Sequence, residues 1–120
     1  MSKGIIVVGS LHYDIFIDSP NLPRVGETVT GYKWYPKLGG KGGNQAIAAS
    51  LYSVPTTLIS AIGGDDFAKF ILDKLQKAKI NINFIYQLAN HDSGMSVAIS
   101  NAKEDYGAVI VSGANLHIKT

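Results

Sequence analysis

The chain has 120 residues, 46% hydrophobic and 17% charged, with 11 Lys and Arg against 9 Asp and Glu and no cysteine. That length suits one domain with a real core, and the lack of cysteine excludes disulfide staples, thiol catalysis and Cys-ligated zinc. The apolar runs are too short to span a membrane, and the scattered basic residues leave no electrostatic footprint for nucleic acid.

Met1 to Gly9 lacks the apolar core and cleavage site of a signal peptide, which fits a cytoplasmic chain. Gly4 to Gly9 is a β-branched run that predicts a strand buried on both faces. Over residues 13–19, Tyr13, Ile15 and Ile17 alternate with Asp14, Phe16 and Asp18, giving a period-two strand with one wetter face. Pro20, Asn21, Pro23 and Gly26 mark a loop, residues 32–38 alternate again, and Gly39 to Gly43 stop the strand. Asn44 to Tyr52 is apolar nearly all round and reads as a buried helix that ends before Pro55.

Thr57 to Ile62 returns as a strand, and Gly63-Gly64-Asp65 turns the chain into a second helix. Phe67, Phe70, Ile71, Leu75 and Ala78 recur at spacings of three and four on its inner face, while Asp73 and Lys77 pair at i,i+4 outside. Residues 84–87, 95–100 and 108–111 read as further strands, the last two joined by a hairpin loop over 101–107. Strand, helix, strand, helix, strand argues for a parallel α/β layer. The alternating strands at 13–19, 32–38, 95–100 and 108–111 argue for a second sheet with one apolar face.

Gly39-Gly40-Lys41-Gly42-Gly43-Asn44 is the densest chemical signal. Glycines admit a ligand to the backbone, and a following helix offers unpaired N–H groups and a positive dipole end. Lys41 adds a mobile cation, and Asn44 adds a donor and an acceptor. The run therefore fits a cradle for a hydroxyl-rich or anionic small molecule, or equally a glycine turn that lets a helix pack closely. A P-loop is excluded because Gly42 follows Lys41 and Tyr35 stands where its first Gly belongs. The dinucleotide fingerprint fails at Gln45.

Asp14 lies just past the first strand, where ligands of open α/β sheets bind, and a carboxylate there can accept two sugar hydroxyls. His12 shares its side of the chain. The plain alternative is a solvated acid on a strand edge. Asp65 reads as the N-cap of the second helix. His91 and His117 are separate in sequence from each other and from any acid pair, which argues against a metal site. Trp34 with Tyr32 reads as sheet packing or a subunit contact, and Glu104 with Asp105 as a solvated hairpin tip.

On these residues the chain resembles the ribokinase-type, or PfkB, carbohydrate kinases. Gly9-Ser10-Leu11-His12-Tyr13-Asp14, Pro23 to Gly31, and Gly39 to Ala46 look like the N-terminal part of that family. Its first signature runs on through Ser53 to Gly63, and Ser112-Gly113-Ala114-Asn115 extends the resemblance over essentially the whole chain.

The resemblance implies an α/β fold of ribokinase type, a parallel sheet with helices plus a small β-sheet lid, of which residues 1–120 form a truncated N-terminal portion. It implies an ATP-dependent carbohydrate kinase that phosphorylates a sugar hydroxyl. Asp14 would bind sugar hydroxyls, Gly40, Lys41 and Asn44 would line the same pocket, and Ser96 would lie near the sugar on the lid. His12 stands where the family typically has Asn, which bears on the choice of sugar. Family members run to more than twice this length, and their nucleotide site, anion hole and catalytic Asp lie in the later half. ATP and Mg2+ would then be held outside this chain, which carries no catalytic residue or metal ligand of its own. The expected partners are a small-molecule sugar and a second copy of the chain, clasped lid to lid as a homodimer. The alternatives are an inactive sugar-binding or self-associating fragment, and a nucleoside or fructose-type kinase of the same superfamily.

Overall fold

Two sheets divide the strands according to their hydrophobic pattern. The computed structural model describes residues 4–118. In chain order the elements are β1 (Ile5–Val8), β2 (His12–Asp18), β3 (Lys33–Gly39), α1 (Lys41–Ser50), β4 (Thr56–Gly63), α2 (Asp66–Lys77), β5 (Ile85–Leu88), β6 (Met95–Ser100), β7 (Tyr106–Val111) and a short 3-10 helix, Gly113–His117.

The continuous apolar runs form a parallel sheet in the order β1-β4-β5, and the alternating strands form a second sheet in the order β3-β2-β6-β7. In the second sheet β2 and β6 are parallel neighbours, while β2–β3 and β6–β7 are antiparallel. The radius of gyration, 16.0 Å, exceeds the roughly 14 Å of a compact chain this long, because the second sheet projects from the first. No helix among the described residues is long and apolar enough to cross a membrane.

Val7, Leu11, Ala46, Leu58, Ile62, Ala68, Ile71, Leu75 and Ile80 form the core, where the parallel sheet meets the two helices. The expectation that β1 is buried on both faces is corrected here. Only Val7 is buried, and Ile6 is 68% exposed, because both helices pack on one face of the sheet. α1 also differs from expectation. It begins at Lys41, so the glycines form its first turn, and it buries one stripe (Gly42, Gly43, Ala46) while Asn44, Gln45 and Ala48 stay exposed. α2 matches its pattern, with Ala68, Ile71 and Leu75 buried and Lys77 bonded to Asp73 at 3.1 Å.

Alternation along β2 then ties the second sheet to the first. Tyr13 stacks on Phe67 of α2, with centroids 4.0 Å apart, and meets Phe70 edge-on at 4.9 Å. Such pairs add about 0.5–1.5 kcal/mol beyond area burial. The next residue, Asp14, falls on the opposite face.

A second tie runs through the cap of α2. Asp65 Oδ1 accepts from Ala68 N–H at 3.0 Å, as an N-cap should, and from the Ser93 hydroxyl at 2.7 Å. Its Oδ2 accepts from Ser93 N–H at 2.7 Å, and Ser93 Oγ accepts from Gly63 N–H at 2.9 Å. One carboxylate thus joins the end of β4, the start of α2 and the segment entering β6. Partial burial opposes its ionisation, but the bonds from Ser93 and Ala68 outweigh it and hold the Asp65 carboxyl below its usual value.

Because the folded value is depressed, this contribution is present above the unfolded carboxyl value of about 3.9 and is lost as pH falls through the folded value. Asp65→Ala removes the cap and leaves buried Ser93 donors unpaired, a loss of roughly 2–4 kcal/mol at pH 7. Urea midpoints at pH 7 and near pH 2.5 check this: the gap between wild type and variant should narrow at the acid pH, and an equal gap at both would refute it.

Candidate functional site

Asp14 sits inside the second sheet, opposite Lys37 on β3 and Ser96 on β6. Cross-strand partners share a face, so this register brings Ser96 to the carboxylate. Ser96, itself buried, donates its hydroxyl to Asp14 Oδ1 at 2.6 Å. His12, two residues earlier on the same face, places Nδ1 3.8 Å from Oδ1, and both side chains are mostly covered, at 13% and 19% exposure. Oδ2 lies against the Cα of Gly39, in a space that a Cβ on that residue would fill. The carboxylate is therefore bonded at one oxygen and packed against the Gly39 turn at the other. It can accept hydroxyl protons with little reorganisation, because a bonded neighbour fixes its rotamer.

The glycine run divides between the two roles left open by its composition. Gly42 packs on Gly9 so closely that a Cβ would stand 2.5 Å from the Gly9 carbonyl carbon and 2.7 Å from its oxygen. Backbone meets backbone there, and only glycine permits it. Gly42 is thus a packing residue. Gly39 and Gly40 border the acid and the Ser10 backbone.

The start of α1 bonds several of its own donors within the chain. Lys41 N–H donates to Ser10 Oγ at 3.2 Å, Gly43 N–H to Ser10 O at 3.1 Å and Asn44 N–H to Gly40 O at 2.9 Å. Those three donors are engaged within the protein, which leaves the turn fewer N–H groups to offer a ligand. Among the described residues no group of three His, Cys, Asp or Glu could hold a metal ion.

Of the predicted site residues, the structure gathers His12, Asp14 and Ser96 around one carboxylate, with Gly40 and Lys41 on the adjoining turn. The exposed Lys41 side chain projects from that turn. Asn44 instead lines a groove with Pro36, Leu38, Ile47 and Phe70.

The separation expected of His91 and His117 is also corrected. Their rings meet edge to face with centroids 4.4 Å apart, because the 3-10 helix folds back over the turn after β5. Asp105 accepts from Asn101 Nδ2 at 3.1 Å at an exposed hairpin tip, as its position suggests. Sequence reasoning missed Ser93 and the bonding role of Asn115, whose partners lie 28 and 104 residues away.

Comparison with known proteins adds an independent line. The family model for pfkB family carbohydrate kinases matches residues 2–120. A ribokinase of Dictyostelium discoideum is 36% identical over 96% of this chain and 36% of its own length. The structure of Arabidopsis thaliana ribokinase complexed with ribose and ATP superposes with a TM-score of 0.87 at 29% identity, over 96% of this chain and 38% of that one. Giardia lamblia ribokinase gives 0.88 at 29% identity, over 99% and 36%. The chain thus spans a little over a third of the length of the relatives it matches.

The two glycine roles predict opposite phenotypes. Gly42→Ala forces β1 and α1 apart and should cost at least about 2 kcal/mol in a denaturant titration. Gly39→Ala meets a short side chain rather than backbone, so it should cost less than Gly42→Ala while breaking the Ser96–Asp14 bond, read as a changed Ser96 hydroxyl or Asp14 carboxyl resonance. Equal destabilisation by both would refute the division.

Proposed function

Because the chain belongs to the pfkB family of carbohydrate kinases, we propose that it forms the sugar-holding, lid-bearing N-terminal part of an ATP-dependent kinase acting on a sugar hydroxyl. The observation that carries this reading is the Asp14–Ser96 pair on the strand face beside the Gly39–Gly40 turn. Ser96 fixes one oxygen of Asp14, and the remaining acceptor positions of the carboxylate take adjacent hydroxyl protons of a sugar. His12 walls one side with a group that donates or accepts, and Lys41 closes from the turn as a mobile donor. These residues bind and orient the acceptor sugar. The β3-β2-β6-β7 sheet is the lid, and its contact with α2 through Tyr13 is the base on which it stands.

Phosphoryl transfer depends on positioning and on stabilising charge at the transferred group. The N–H groups of Lys41, Gly43 and Asn44 are bonded to Ser10 and Gly40, and the family resemblance assigns the anion hole and catalytic Asp to a later half outside these residues. The 120-residue chain alone is therefore read as binding sugar without phosphorylating it. A pentose such as the ribose bound by the Arabidopsis protein is the natural first probe.

The lid also supports self-association. Farther along the face that Tyr13 shares, Ile15, Ile17 and Trp34 border a groove of about 500 Å³, with Trp34 63% exposed. An open apolar sheet face favours a partner, and a second lid offers a matching surface.

Three outcomes are expected. Calorimetry should show ribose binding that Asp14→Asn weakens by at least about tenfold, since a charge-assisted bond is worth about 1.5–3 kcal/mol; unchanged affinity would reduce Asp14 to a surface acid. Sugar-dependent ADP release by the pure chain above an Asp14→Ala control should be absent, and its presence would contradict the division of labour. Sedimentation should show a dimer that Ile17→Asp with Trp34→Asp dissociates by placing charge in the apolar contact, whereas a monodisperse wild-type monomer would refute it.

A further inference from the structure

Leu11 is fully buried, yet its peptide has no strand neighbour, because β1 ends at Val8 and β2 begins at His12. Buried N–H and C=O groups require partners. The side chain of Asn115 supplies both. Its Oδ1 accepts from Leu11 N–H at 2.9 Å, and its Nδ2 donates to Leu11 O at 2.8 Å and to Ser112 O at 2.9 Å. An amide used this way imitates one rung of a β-ladder, and only Asn or Gln offers an adjacent donor and acceptor of this kind.

The preceding peptide is gripped from the other side. Ser10 O accepts from Gly43 N–H, and Ser10 Oγ from Lys41 N–H. Ser10 and Leu11 therefore lie between the 3-10 helix and the first turn of α1, three residues ahead of Asp14.

We propose that Asn115 is a positioning residue. By clamping the Leu11 peptide it sets the place of Asp14 relative to the Gly40–Lys41 turn, and so the width of the site. Its bearing on sugar rests on the functional reading above, whereas the clamp itself is measurable without sugar. Asn115 touches no substrate in this account. It acts through two residues of main chain.

The test uses the full 120-residue chain, with amide hydrogen exchange followed by NMR and ribose titrated by calorimetry. Asn115→Ala should accelerate exchange at Leu11 and, through Ser10, at Gly43 by about tenfold or more, while Leu58 in β4 stays protected. Ribose affinity should fall in parallel by about tenfold. Asn115→Asp keeps the acceptor for Leu11 N–H and loses both donors, so it should give a smaller change in the same readouts and serves if the alanine variant does not fold. Faster exchange at Leu11 with Gly43 unchanged would overturn the proposal, because the clamp would not reach the turn. Unchanged ribose affinity alongside accelerated exchange would overturn it too. If the wild type binds no ribose, the functional reading fails, and exchange at Gly43 still decides the clamp.

Discussion

Between Val8 and His12 the main chain leaves one sheet and enters another, and the rest of the structure answers to that passage. Its peptide groups are buried at Leu11 and without a ladder, so each must find a partner elsewhere. Gly9 O accepts from the Ser60 hydroxyl at 2.6 Å, Ser10 from the first turn of α1, and Leu11 from Asn115. Three elements converge on three residues. The convergence fixes where β2 starts, and with it which side of β2 faces the site. Tyr13 goes to the aromatic face of α2 and Asp14 to the Gly39 turn.

The sequence carried the sheets well because hydrophobic period and layer are physically linked. Residues 95–100 alternate and pair on both sides in the second sheet, and the apolar run at 57–62 lies central in the parallel one. What failed was the inference from composition to cover. Ile5, Ile6 and Val8 are as apolar as Val7, but only one face of β1 meets helices, and no local pattern says how many layers will arrive. α1 failed for a related reason, since alanines and glycines give weak contrast around a helix.

The site was partly legible. Asp14 and the glycines stand out by type and position, but the glycine run had two readings, and the close approach at Gly42 separates them only in three dimensions. Ser96 was marked by resemblance, and its bond to Asp14 appears once β2 and β6 are in register. Asn115 was visible only as the end of a matching run, with no role, and Ser93 was silent, because side-chain bonds across 104 and 28 residues leave no periodicity behind. Local signals find residues that do chemistry. They do not find residues that hold others in place.

Together these features describe a largely covered carboxylate at the junction of two sheets, the place proposed above for an acceptor sugar. One carboxylate is oriented by a serine and bordered by a turn in which the N–H groups of Lys41, Gly43 and Asn44 are bonded within the chain. The most direct measurement is resonance mapping of the labelled chain on titration with ribose. The account predicts saturable shifts at the Asp14 carboxyl carbon and at the Gly39, Gly40 and Lys41 amides. Shifts confined to the open face of Ile6, Val8 and Tyr86, or no saturable shift at all, would contradict it.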